Sequence, residues 1–161
     1  MIIPKIKNVQ NIIKNPDDLL TINENISVAE AAKIMGDHNV GCLLVFDTNE
    51  NFVGVVTERD MMAKVLTRNS TVTQTLVKEV MTPNVICCDM ESDISQVERL
   101  MSEHKIRHIP IVENNKPIGM ISSRDLIAYR LRSNREMKSA AEEIAMLSAQ
   151  LKSHKFEDVI D

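Results

Sequence analysis

The feature that most constrains this chain is a pattern that occurs in it twice. Val28-Ala-Glu-Ala-Ala-Lys-Ile-Met35 matches Ile94-Ser-Gln-Val-Glu-Arg-Leu-Met101, and His38-Asn-Val matches His104-Lys-Ile, both at an offset of 66 positions. Gly54-Val-Val-Thr-Glu-Arg-Asp60 then matches Gly119-Met-Ile-Ser-Ser-Arg-Asp125 at an offset of 65, so the second copy has lost one residue in the connection after its middle strand. Self-similarity of this kind means two like supersecondary units that share a core.

Each copy reads as the same succession of elements. Thr21-Ile22 and Val85-Ile86-Cys87 are short apolar stretches that suit opening strands. Ser27 caps a helix to about position 37, whose Val28, Ala31, Ala32, Ile34 and Met35 share one face; Asp93 or Ser92 caps its counterpart, to about position 105. Two buried strands follow in each copy, 42–46 and 52–57 around the turn-rich Asp47-Thr-Asn-Glu-Asn51, then 109–112 and 117–122 around Asn114-Asn115. A closing helix begins at Glu58 and again at Ser123. A strand, helix, hairpin and helix cannot cover both faces of their own sheet. The expected fold is therefore α+β, two β-α-β-β-α units packed sheet to sheet about a pseudo-two-fold axis, with symmetry-related clefts between them.

Composition removes several classes of function. The net charge of −4 and the four aromatic residues argue against a basic, base-stacking groove for nucleic acid. The densest apolar run, 42–46, is far too short to cross a bilayer. Cys42, Cys87 and Cys88 form no Cys-x-x-Cys pattern and are odd in number, which suits a reducing, cytoplasmic setting and offers no structural zinc site. No nucleophile–base arrangement and no Gly-rich phosphate loop is present, so no catalytic residues, metal or cofactor are expected.

The residues that carry chemistry lie where a strand runs into a closing helix. Thr57 and Asp60, like Ser122 and Asp125, are three apart across that junction, on one edge of the first helical turn. A helix start favours anions through its unpaired N–H groups and its dipole, so a phosphate has a hydroxyl and amides to use there. Arg59 and Arg124 add guanidinium forks suited to phosphate oxygens. The same [Ser/Thr]-x-x-Asp spacing is also a capping box that merely satisfies the helix end.

Over positions 9 to 131 the chain resembles the CBS domain pair, or Bateman module, through Val77-Lys-Glu-Val-Met-Thr-Pro83, Arg107-His-Ile-Pro-Ile111 and the paired Gly-x-x-[Thr/Ser]-x-x-Asp endings. The resemblance implies a regulatory module that binds AMP, ADP, ATP or a related adenosine ligand and commonly forms a disk-like homodimer. It implies that Asp60 and Asp125 accept hydrogen bonds from ribose hydroxyls and that Arg59 and Arg124 act across the pseudo-dyad. Adenine would be held by backbone groups around Thr21, Ile22, Cys42 and Leu43 in one site, and around Cys87, His108 and Ile109 in the other, where Arg107 and Pro110 also count among the nucleotide-binding residues. The first copy departs from the pattern, with Leu44 for Pro110 and Gly41-Cys42 for Arg107-His108, so the two sites are expected to differ in occupancy.

The expected organisation is a first copy over 1–76, a second over 77–132 and a helical extension over 133–161. The segment 1–16, with Ile6, Val9, Ile12 and Ile13 before Asn15-Pro16, is expected to form a short helix completing the first copy. His38 and His104 are expected to pack at helix ends, and Met137, Ala140, Ile144, Leu147 and Leu151 to line one face of an amphipathic helix. The leading expectation is a ligand sensor that modulates a protein partner or its own assembly. The alternative is a ligand-free interaction or dimerisation scaffold.

Overall fold

The computed structural model describes residues 9–13, 19–67 and 71–157, the side chains of Asn11 and of 149–157 excepted. The first copy runs β1 (Thr21–Asn23), α1 (Val28–His38), β2 (Cys42–Phe46), β3 (Phe52–Thr57) and α2 (Glu58–Thr67). After a one-turn helix α3 (Val77–Val80), the second copy runs α4 (Ile94–His104), β4 (His108–Glu113), β5 (Lys116–Ser122) and α5 (Ser123–Glu157). The α+β fold of two like repeats is the one expected from the sequence. The closing helix and the C-terminal extension form one continuous helix.

Local chemistry fixes the helix ends. Ser27 and Glu30 form a full capping box on α1: the Ser27 hydroxyl accepts from the Glu30 N–H at 3.2 Å, and Glu30 accepts from the Ser27 N–H at 2.9 Å. Asp93, not Ser92, caps α4, accepting from the Ser95 N–H at 2.6 Å. Both helices stop at a left-handed residue, Asn39 at φ 52° and Lys105 at φ 54°. His38 and His104 stand exposed in the last turns, where the helix dipole favours a cation; the expected packing role is not realised.

β1 pairs parallel with β2, and β2 antiparallel with β3, while β4 and β5 form a hairpin. Both hairpins carry a register shift at the matching place, Val45/Phe46 and Ile111/Val112. The loops differ: Asp47 gathers the N–H groups of Asn49 and Asn51, whereas Asn114 and Asn115, at φ 49° and 62°, make a tight left-handed turn. The expected strand at 85–87 is reduced to a single parallel bridge, Cys88 to Ile111. Beyond Cys88 the ladder goes no further, because Asp89 folds into a turn, receiving the Glu91 N–H and the Ser92 hydroxyl.

Alternation along the strands places the core. Leu43, Val45 and Val56 join Val28, Ala31, Met35, Met61 and Val65 in a helix-covered cluster. The opposite face, Cys42, Leu44 and Val55, packs with Val85 and Met120 of the second copy, which is the expected sheet-to-sheet contact. Among the described residues no helix is long and apolar enough to cross a membrane.

The segments before each copy are crossed over. Val77 and Val80 are fully buried in the first copy's core, the Val77 N–H donates to Ile26 O at 2.9 Å, and Thr82 bridges Val55. Correspondingly, the Val9 N–H donates to Ser92 O at 3.2 Å, and the Ile13 side chain lies over Gly119 in the second copy. The N-terminal segment thus serves the second copy rather than the first, as a 3-10 turn (Val9–Asn11) rather than a helix; Ile6 and Asn15-Pro16 lie outside the described residues. The correspondence extends along the segment, Val9 to Val77 and Ile13 to Met81, at an offset of 68.

Gly54 and Gly119 admit these crossings, and Gly54 does so against backbone. A Cβ there would lie 2.7 Å from Thr82 O, while one on Gly36 would meet nothing within 4 Å. Gly54→Ala should therefore lower unfolding free energy by about 1–3 kcal/mol in urea titration. Gly36→Ala, in the last turn of α1, should be neutral or raise it by up to about 1 kcal/mol.

Candidate functional site

The end of β3 and the start of α2 form the most densely bonded polar cluster of the first copy. Thr57 is the capping residue: its hydroxyl accepts from the Asp60 N–H at 3.1 Å and donates to Asp60 Oδ2 at 2.6 Å. Asp60 Oδ2 also accepts from the Thr57 N–H at 3.0 Å. The Glu58 N–H donates to Gly41 O at 3.2 Å, pinning the helix start to the base of β2. Ser123 N–H donates to Arg107 O at 2.9 Å in the second copy, the same tie repeated.

Asp60 reaches further than a cap requires. Its other oxygen, Oδ1, accepts from the Thr82 hydroxyl at 3.1 Å and from Lys64 Nζ at 3.2 Å. Lys64 Nζ donates as well to Val80 O at 2.6 Å and Met81 O at 3.1 Å, joining α2 to the end of α3. The carboxylate is 16% exposed and holds four donors, which fills its acceptor positions. The Glu58 and Asp60 amides, expected from the sequence to be available to a phosphate, are already used by Gly41 O and the Thr57 hydroxyl.

Cys42 stands opposite Thr57 across the ladder. Burial pushes its thiol up to about 12, and the nearby negative charge of Asp60 adds to the effect. Cys42, Thr57 and Asp60 are thus brought together. Thr21 is exposed opposite Leu44, and the side chains of Ile22 and Leu43 are committed to the helix-covered core, leaving only their backbones to face a ligand. Arg59 Nη1 donates to Lys105 O at 3.3 Å, so it already crosses to the second copy.

In the second copy His108, half-buried, is opposite Ser122 as Cys42 is opposite Thr57. Ile109 and Pro110 are buried, and Pro110 O accepts from the Cys88 N–H at 3.0 Å. Arg107 is exposed. Cys87 is half-buried, its thiol donating to Val85 O at 3.5 Å and raised first by burial and then by Cys88. Arg124, exposed, and Asp125, half-buried, stand in the first turn of α5, within a second compact unit, Arg124–Asp161. Among the described residues no group of three His, Cys, Asp or Glu side chains is placed to hold a metal.

Sequence reasoning missed Lys64 and Thr82. Lys64 is one helical turn beyond Asp60, a spacing that brings opposite charges together. Thr82 was hidden because Val77 to Pro83 reads as the opening of the second copy, whereas its hydroxyl serves the first.

The family model of the CBS domain matches residues 9–67 and 77–132. A 17.7 kDa protein of Acidianus ambivalens is 34% identical over 106 residues, which are 65% of this chain and 63% of that protein, under two thirds of its length. Among solved structures, a signal-transduction protein with CBS domains from Burkholderia ambifaria superposes with a TM-score of 0.74 at 33% identity, over 78% of this chain and 95% of that one. The CBS domain pair of protein MJ0100, solved with 5′-methylthioadenosine and S-adenosyl-L-methionine, superposes with a TM-score of 0.67 at 31% identity, over 76% and 98%.

The thiol environments give an order of reactivity. Cys87, the least buried, should react first with a maleimide at pH 8, with Cys88 and Cys42 labelled only as the chain unfolds. Mass spectrometry of peptides from a timed labelling series checks the order.

Proposed function

Because the chain belongs to the CBS domain family, we propose that it is a regulatory module that binds an adenine nucleotide, AMP, ADP or ATP, or a related adenosine ligand, between its repeats. The observation that carries this reading is the cluster at the start of α2, where Thr57 and Asp60 meet Cys42 and Arg59 crosses to the other copy. In the first copy the Asp60 carboxylate would accept from ribose hydroxyls, and Arg59 would reach across the pseudo-dyad to a phosphate held near Asp125. By sequence correspondence Ser122, Arg124 and Asp125 take these roles in the second, with Cys87, Arg107, His108, Ile109 and Pro110 toward the base. The solved pair bound to methylthioadenosine and S-adenosylmethionine supports the adenosine class. The role is regulatory rather than catalytic, in the cytoplasm, through a protein partner or self-assembly.

The proposal includes a homodimer. Met62 and Leu66 on α2 are 65% and 75% exposed, and Ile127 and Leu131, also exposed, repeat them at an offset of 65 on α5. An exposed apolar pair one turn apart on α2 suits an isologous contact with the same pair of a second copy. Light scattering after size exclusion should give a dimer mass, and Met62→Glu with Leu66→Glu should give the monomer.

A scaffold that has lost its ligand is the second reading, favoured by the full set of donors already on Asp60. Thermal-shift and calorimetric titration with AMP, ADP, ATP and S-adenosylmethionine separate the two. A sensor shows saturable stabilisation, about 2.7 kcal/mol at a hundredfold excess over Kd. Asp125→Ala and Asp60→Ala should each weaken one site by about tenfold or more. No response to any of the four would leave the scaffold.

A further inference from the structure

We infer that Asp60 is shared between the ligand and the segment that joins the two repeats, so that occupancy of the first site loosens that segment. This rests on the reading of the first site as an adenosine site. The inference comes from the number of donors. Oδ2 is held by the Thr57 amide and hydroxyl, which belong to the helix start itself, at 3.0 and 2.6 Å. Oδ1 is held by Thr82 at 3.1 Å and Lys64 at 3.2 Å. A carboxylate has about four acceptor positions, so a vicinal diol gains a place on Asp60 only by displacing a donor.

Thr82 is the donor to be displaced. It is neutral and exposed, and its hydroxyl has water to go to. Lys64 is charged and is fixed at the same time by Val80 O and Met81 O. Thr57 is tied into the cap from both sides. Thr82 is also the residue whose backbone bridges Val55, donating at 2.8 Å and accepting at 3.1 Å, directly over Gly54. Releasing its side chain therefore frees one of the attachments by which the joining segment grips the first sheet. Lys64 and Thr82 are positioning residues, acting through Asp60. The second copy has Tyr129 where the first has Lys64, so the lysine contact itself is particular to the first.

The test compares Thr82→Val with Thr82→Ser in calorimetric titration with AMP, ATP and S-adenosylmethionine. Removing the competing hydroxyl should tighten the best of these by about two- to tenfold, and Thr82→Ser should bind as the parent does. Equal or weaker binding by Thr82→Val overturns the inference and leaves the sensor intact. In a ligand-free arm, hydrogen exchange of residues 77–82 should be faster in Lys64→Met than in the parent; unchanged exchange overturns the latch whatever binds. If the parent protein binds none of the three, the site reading fails and takes the coupling with it, while the ligand-free arm still reports on the latch.

Discussion

Neither repeat closes its own core. Val77 and Val80 fill the first copy from a segment that precedes the second, and Val9, fully buried, is hydrogen-bonded to Ser92 from a segment that precedes the first. A buried valine contributes about 1.5–3 kcal/mol, so this exchange is a substantial part of what holds either unit together. It also means that the repeats are not independent modules joined by a tether. The joining segment is a structural member of the first sheet, through the Thr82–Val55 bridge, before it becomes part of the second.

Gly54 and Gly119 show how the sequence permits this. Each sits on the closing strand of its hairpin, and each has the crossing segment where a side chain would be, Thr82 O in one case and Ile13 in the other. Neither glycine has a positive φ. Their requirement is for space, which explains why they open the repeated Gly-x-x-[Thr/Ser]-x-x-Asp motif at a fixed distance from the helix start. The motif that first draws attention for its hydroxyl and carboxylate is, at its other end, a packing device.

Most of the fold was legible in the chain because repetition doubles every signal. The caps at Ser27 and Asp93, the hairpin turns and the apolar faces of α1 and α4 each follow from local chemistry. What was not legible was non-local. The Val9 and Ile13 pattern matches Val77 and Met81, but at an offset of 68 rather than 66, and contiguity in sequence suggested that each segment serves the copy beside it. The strand expected at 85–87 is displaced to a single bridge at Cys88, beyond which Asp89 turns the chain. In the site, Thr57 and Asp60 could be placed together by their spacing at a helix start, while Cys42 came only from the family resemblance and is set opposite Thr57 by the strand register. Thr82 could not, because its partnership with Asp60 depends on the crossing.

Capping and ligand binding are two readings of Thr57 and Asp60, and on the proposed function they become successive uses of one carboxylate. The cap takes Oδ2 and leaves Oδ1 facing the joining segment. An oxygen that is held by a neutral hydroxyl at the surface and by a lysine that also grips Val80 and Met81 is neither free nor permanently spent. Its lysine contact is partly exposed and correspondingly modest. The copies differ at the same place: Tyr129 stands where the first has Lys64, and Arg107-His108 where it has Gly41-Cys42. A pair of like units therefore presents two helix starts of different sequence, one of them tied to the segment that joins the repeats.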